Sequence, residues 1–202
     1  MGSKQSILAA IRAANAPAAA APDLNQAWIK YDDRAQAFAE VLTSVGGKCV
    51  FVESRNEIAA KLAEHAAFGA AKKIVSSLPE VPGNIELSSL ADPHQTEDID
   101  FAILPGQFGV AENGAIWITD KELKHRAIYF IVQHLVLVID ARELVDNMYA
   151  AYQRLNLAAR SPTDRTFGAF IAGPSKTADI EQSLVIGAHG PRSLTVFCVG
   201  SR

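Results

Sequence analysis

Apolar residues recur along this chain at two different periods, and the alternation between them lays out its elements. Ile7, Leu8 and Ile11 share one face at helical spacing behind Ser3, which predicts a helix over Ser3–Ala14. The segment APAAAAP, residues 16–22, interrupts the pattern with two prolines and reads as a spacer. Residues 1–22 are therefore expected to form an accessory helix and spacer, and residues 23–202 a single α/β domain. Phe38, Val41, Leu42 and Val45 predict a second helix over Asp32–Val45, closed by Gly46–Gly47. Lys48–Glu53 (KCVFVE) is then strand-like, and Ile58, Leu62 and Ala66 predict a third helix behind Ser54, with His65 beside its stripe. Lys72–Ser76 (KKIVS) reads as the next strand, and this β–α–β order calls for parallel pairing of the two strands.

Residues 79–100 are irregular and acidic; Ile85–Leu87 is a candidate short strand, and His94, among prolines and acids, is expected at the surface. Strand-like runs resume at Phe101–Leu104, Ala115–Thr119 and Leu135–Asp140, with a short polar turn or helix over Glu122–Arg126 between the last two. Leu144, Val145, Met148, Ala151, Tyr152 and Leu155 fit one helix over Arg142–Asn156. The polar connection Arg160–Thr166 leads to two closing strands, Phe167–Ala172 and Leu194–Val199. Strands alternating with helices predict a mainly parallel sheet covered on both faces.

Composition narrows this picture without redirecting it. Hydrophobic residues make up 49% of the 202 and charged residues 20%, enough for a real core. A formal net charge of −3 argues against a general electrostatic grip on nucleic acid, though not against a local cationic pocket. Cys49 and Cys198 each lie inside an apolar strand-like run and read as small core residues. Without a CxxC or Cys/His cluster, the chain itself is expected to bind neither structural zinc nor an iron–sulfur cluster. No apolar run reaches the roughly eighteen residues of a membrane span, and the N-terminus lacks the apolar core of a secretory signal. A cytoplasmic location is expected, although Met1–Ser6 (MGSKQS) formally fits the myristoylation pattern.

Two loops carry the candidate chemistry. In Gly109–Gly114 (GVAENG), Asn113–Gly114 is a hairpin-turn signal that would leave Glu112 as an exposed acid. The same glycines also permit close ligand approach, with Glu112 presented at a sheet edge. In Gly173–Ile180 (GPSKTADI), Ser175 and Thr177 can cap a helix running through Ile180 and Leu184, with Asp179 and Glu181 in its first turn. The alternative is an anion site in which helix N–H groups, the two hydroxyls and Lys176 converge. It is not a Walker A loop, because Ser175 occupies the position of the required glycine. Downstream, His189 and Arg192 flank the Gly190–Pro191 turn. Arginine suits bidentate recognition of a carboxylate, while the histidine is open between acid–base, hydrogen-bond donor and turn-stabilising roles.

The stretch GPSKTADIEQSLVIGAHGPRSLTVFCVG resembles the closing signature of the lactate utilisation protein C family, the LUD domain. AENGAIWI falls where that family usually carries an Ala-Glu-Thr-Gly-like segment, and the resemblance keeps its order from about residue 30 to the end. Asn113 stands where threonine is common and Lys176 where arginine is common; the lysine keeps the charge but weakens any bidentate contact. The resemblance implies a three-layer α/β/α fold with a Rossmann-like sheet, as in the ribose-phosphate isomerase and CoA-transferase group. It further implies a subunit of an iron–sulfur-containing system that oxidises L-lactate to pyruvate, with the clusters on partner proteins. Glu112-Asn113-Gly114 also resembles the Glu-Asn-Gly motif of family I CoA-transferases, whose glutamate forms a thioester with CoA.

Residues and resemblance together predict one pocket for a small carboxylate or phosphate, built from loops 106–114, 173–179 and 187–192. Gly109, Asn113, Gly114, Ser175, Lys176, Thr177, Asp179, Gly190 and Arg192 would bind the ligand, and Glu112 and His189 would transfer protons or orient it. Two rival expectations are a free-standing CoA-transferase-like or sugar-phosphate enzyme using Glu112, and a non-catalytic ligand sensor. A homo-oligomer is compatible with each.

Overall fold

The computed structural model describes residues 3–14, 19–121, 123–156, 167–177 and 184–200. Helix α1 (Ser3–Ala13) is followed by α2 (Arg34–Ser44), β1 (Lys48–Val52), the short helices α3 (Ile58–Ala63) and α4 (Ala66–Gly69), and β2 (Ile74–Ser76). Next come β3 (Phe101–Pro105), β4 (Phe108–Val110), β5 (Ala115–Thr119), α5 (Ile128–Ile131), β6 (His134–Asp140), β7 (Leu144–Val145) and α6 (Met148–Leu155). The chain closes with β8 (Gly168–Ile171), β9 (Lys176–Thr177), β10 (Val185–Ile186) and β11 (Ser193–Val199).

The centre is a five-stranded parallel sheet in the order β1-β11-β6-β3-β2. Its middle strands are nearly continuous apolar runs because both faces are covered. Leu135, Leu137 and Ile139 of β6 face one core with Leu194, Val196 and Cys198 of β11. Val136 and Val138 face the other core, with Ile58 and Leu62 of α3. The opposite layer is shared by α2, whose Phe38 and Leu42 are fully buried, and a four-stranded mixed sheet ordered β7-β4-β5-β8. Burying two such side chains is worth about 1.5–3 kcal/mol each. Helix α6 covers the outer side of that second sheet through Ala151 and Leu155, which meet Phe108 and Trp117. The result is a three-layer α/β protein around a mainly parallel sheet. Among the described residues no helix is long and apolar enough to cross a membrane.

Several local expectations are corrected. The strands KCVFV and KKIVS are parallel members of one sheet but not neighbours: β1 and β2 sit at opposite edges. The longer, mostly apolar β6 and β11 take the doubly covered centre and separate them. The third helix breaks at His65, whose backbone is extended (φ −87°, ψ 112°), into α3 and α4. The predicted helix over Arg142–Asn156 begins only at Met148, because Leu144 and Val145 pair with Gly109 and Val110. Asn147 then caps α6, its side chain accepting from Ala150 N. Ile85–Leu87 forms no strand; a 3₁₀ turn runs from Leu87 to Ser89. No helix starts at Ser175: Lys176–Thr177 pairs antiparallel with Val185–Ile186, and residues 178–183, with Asp179, Ile180 and Glu181, lie outside the described residues.

Candidate functional site

The glycine loop is the turn of the β4–β5 hairpin. Gly114 N donates to Val110 O, Asn113 Oδ1 accepts from Ala115 N, and Gly114 takes a left-handed φ of +67°. A Cβ at Gly114 would stand 2.8 Å from backbone atoms of Leu42, so the turn packs flush on α2. Gly109 lies in β4, beside Leu144 and Phe38. Glu112 is exposed, and its Oε2 accepts a 2.8 Å hydrogen bond from Met148 N, the first residue of α6. A carboxylate there satisfies an otherwise free helix N–H and faces the positive end of the helix dipole.

The second loop lies at the same end of the four-stranded sheet. Ile116 pairs with Ile171, so the turn before β5 and the turn after β8 are neighbours, and both rest on the C-terminal part of α2. At Gly173 (φ +76°) a Cβ would stand 2.5 Å from Val45 O. The chain then runs against the third loop: Ser175 N donates to Pro191 O, and Gly187 N to Ser175 O, each at 2.8 Å. Between them opens a cavity of about 300 Å³ lined by Tyr129, Phe130, Phe170, Gly173, Ser175, His189 and Gly190. Gly190 is required there, since a Cβ would meet Phe130 O at 2.7 Å and the Ser175 Cβ at 3.0 Å. The Tyr129 hydroxyl donates to Thr119 O at 3.1 Å, and burial, with Asp120 adding to it, pushes its pKa up.

The structure therefore brings together Ser175, His189 and Gly190 but sends elsewhere the other predicted residues that are described, Asp179 lying outside the described residues. Glu112 turns to α6. Lys176 lays its ammonium beside Gly46 at the C-terminal end of α2, 3.6 Å from where a Cβ would stand, an arrangement that suits the helix dipole. Thr177 sits in the β9–β10 ribbon opposite Val185. Arg192 lines a different cavity with His134 and Gln133.

Residues not singled out from the sequence also gather around open space. Arg34 and Arg142 line a cleft of about 590 Å³ with Asp32 and Asp33, between the start of α2 and the chain leaving β6. Arg34 donates to Leu144 O, and Arg142 donates to the Asp140 carboxylate. Those hydrogen bonds from the guanidinium and N–H of Arg142 lower the Asp140 pKa to about 2. The readable signal was position: Asp140–Arg142 lies at the carboxyl end of β6, and the carboxyl ends of parallel strands are where open α/β sheets form crevices. Tyr129 and Phe130 carried no such signal. Among the described residues, no three His, Cys, Asp or Glu side chains are grouped so as to hold a metal ion.

A mainly parallel sheet covered on both faces defines the class, a three-layer α/β protein with a loop cavity beside the sheet. The LUD domain family model matches residues 91–199, more than half of the chain, and the chain belongs to that family. It is similar to Lactate utilization protein C of Bacillus pumilus, 31% identical over 110 residues that cover 54% of this chain and 45% of that protein. The same-named protein of Halalkalibacterium halodurans is 32% identical over 99 residues, 48% of this chain and 43% of its own length. The aligned part thus spans about half the length of those two relatives. An uncharacterized protein of Neisseria meningitidis is 24% identical over 98% of this chain and 94% of its own. Among solved structures, a DUF162 family protein from Deinococcus radiodurans superposes with a TM-score of 0.63 at 16% identity, covering 83% of this chain and 96% of that one.

Proposed function

We propose that this chain is a subunit of an iron–sulfur-containing system that oxidises L-lactate to pyruvate, and that it holds a small anionic ligand in the Ser175–His189 pocket. The observation that carries this is coincidence of place. Every residue named in that pocket falls within the 91–199 segment matched by the LUD domain, and relatives aligned there are named Lactate utilization protein C. Ser175 supplies a hydroxyl and His189 an imidazole, and the aromatic and glycine walls keep the space small and mostly apolar. Lys176 and Thr177 support the loop in this reading, and Glu112 supports α6.

The iron–sulfur clusters belong to partner proteins. A cluster takes four thiolates as a rule, and this chain has two cysteines, Cys49 and Cys198, side by side with sulfurs 3.7 Å apart. Cys198 is fully buried, and its contact with Cys49 together with burial raises its pKa, so it stays a thiol.

The test is genetic and then biochemical. Loss of the gene should abolish growth on L-lactate while sparing growth on pyruvate, and the wild-type chain should restore it. The Ser175→Ala, His189→Ala double variant should restore it poorly, and the affinity-purified chain should bring down an iron-bearing partner. Undiminished growth of the deletion strain on L-lactate would sink the proposal. The rival enzyme using Glu112 as a nucleophile has less support, because that carboxylate is already engaged by Met148 N. Borohydride trapping of a glutamyl-CoA adduct with acyl-CoAs would reinstate it. Stabilisation by small carboxylates in a chain that is dispensable for lactate growth would favour the sensor.

A further inference from the structure

The segment ending at Arg192 separates two cavities, and the one it shares with His134 is used by none of the three readings above. This second cavity, of about 450 Å³, opens beneath the amino ends of three central strands, where Phe101, His134 and Ser193 pair in register. Its lining includes His134, Arg192, Asp98, Asp100 and the small side chains of Ala67 and Ala70, which leave it room.

The imidazole is held in place from two sides. His134 stacks on Phe101, with ring centroids 4.6 Å apart and planes 23° apart, and its Nδ1 is 2.8 Å from the Ser193 hydroxyl. The two acids at the rim are already engaged. Asp100 accepts the N–H groups of Lys72 and Lys73 at 2.7 and 2.9 Å, and Asp98 pairs with the Lys73 ammonium. The guanidinium of Arg192, in contrast, makes no ion pair or side-chain hydrogen bond among the described residues, although its backbone N–H donates to Gln133 O. Beside His134, at 5.8 Å and edge-on, His65 keeps a buried Nδ1 without a partner. Burial first, then His65 and Arg192, lower the pKa of His134 against the opposing pull of Asp100. The ring is therefore neutral at neutral pH, and Arg192 is the lining charge left without an ionic partner among the described residues.

We propose that this cavity binds the oxyanion group of a small molecule, a carboxylate or a phosphate. Arg192 provides the charged fork, and His134 donates from Nε2 while its Nδ1 accepts from Ser193. A guanidinium matches both oxyanion geometries, and its hydrogen bonds to them are charge-assisted. The volume lies within the range of small-molecule pockets.

The experiment follows the histidine resonances of the full chain by NMR while inorganic phosphate, and separately acetate, is titrated against sodium chloride at matched ionic strength. A saturable shift of the His134 signals and a rise in its pKa are expected with at least one of the two anions, since a bound anion offsets the Arg192 charge. Arg192→Gln should weaken that binding by at least about tenfold. It should also raise the His134 pKa in the absence of ligand, which reports that the variant is folded. Ser175→Ala should leave the response intact. A response that never saturates, that persists in Arg192→Gln, or that appears at His189 and vanishes with Ser175→Ala would overturn the proposal; the last outcome would place the anion in the neighbouring pocket.

Discussion

Single residues decide how the loops are shaped, and two of them separate structural from chemical roles. Gly173 combines a positive φ of +76° with a Cβ position 2.5 Å from Val45 O, so any side chain meets both strain and backbone. Gly173→Ala should lose about 1–3 kcal/mol of stability, read as a lower urea midpoint. Glu112 makes the sharper case. Its carboxylate caps α6, so Glu112→Ala should cost about 0.5–2 kcal/mol, whereas Glu112→Gln keeps an oxygen for Met148 N and should cost less. Lactate-dependent growth should survive Glu112→Gln; its loss in a chain of unchanged stability would return the residue to chemistry. The sequence placed Glu112 correctly in a tight turn before a strand, because Asn-Gly is a local signal. Where its side chain points depends on α6, which is 36 positions further along the chain.

At the scale of elements, caps and pairings override periodicity. Leu144 and Val145 fit a helical stripe, yet β4 offers them a ladder, and Asn147 fixes where α6 can begin. Asn147 is buried and acts twice: Oδ1 accepts from Ala150 N at 2.8 Å, and Nδ2 donates to Ile29 O at 2.6 Å. Around it, Trp28 stacks on Tyr149 and Tyr31 N donates to Asp146, so the chain before α2 is strapped to the start of α6. Asn147→Ala removes a cap and leaves two polar groups unpaired. It should cost about 2 kcal/mol or more in urea denaturation and speed hydrogen exchange at Ala150. Exchange at Ala150 as slow as in the unaltered protein would contradict this account. Helix α2 was readable to within two residues at either end, since its stripe and its closing glycines are local; the Asp33 side chain that caps it, accepting from Gln36 N, fixes the start at Arg34.

Across the whole molecule, burial and charge set what conditions the fold tolerates. Helix α1 buries no residue, and its Ile7, Leu8 and Ile11 are exposed. Removing residues 1–22 should therefore leave the urea midpoint of the remainder unchanged; a clear fall would show that α1 packs on the domain. Acid acts on the other side of the ledger. The Asp140 pKa is lowered from 3.8 to about 2, so folding favours the ionised form. Its stabilising contribution is complete above the unfolded value and is lost as pH falls through the folded one. Asp140→Asn should accordingly lower the urea midpoint at about pH 5 and make much less difference at about pH 2.5. A gap between the two chains that widens on acidification would reverse the assignment.

By itself the sequence determined the longer strand runs, the α/β class, the turns at glycine and the family, because each rests on neighbours in the chain or on a contiguous motif. Sheet order, the split of one expected pocket into two cavities, and the surroundings of Glu112, Lys176 and Arg192 were decided by the tertiary structure alone. Those outcomes depend on which distant element fills the centre of the sheet and which helix end reaches a given side chain. Local periodicity carries no record of either.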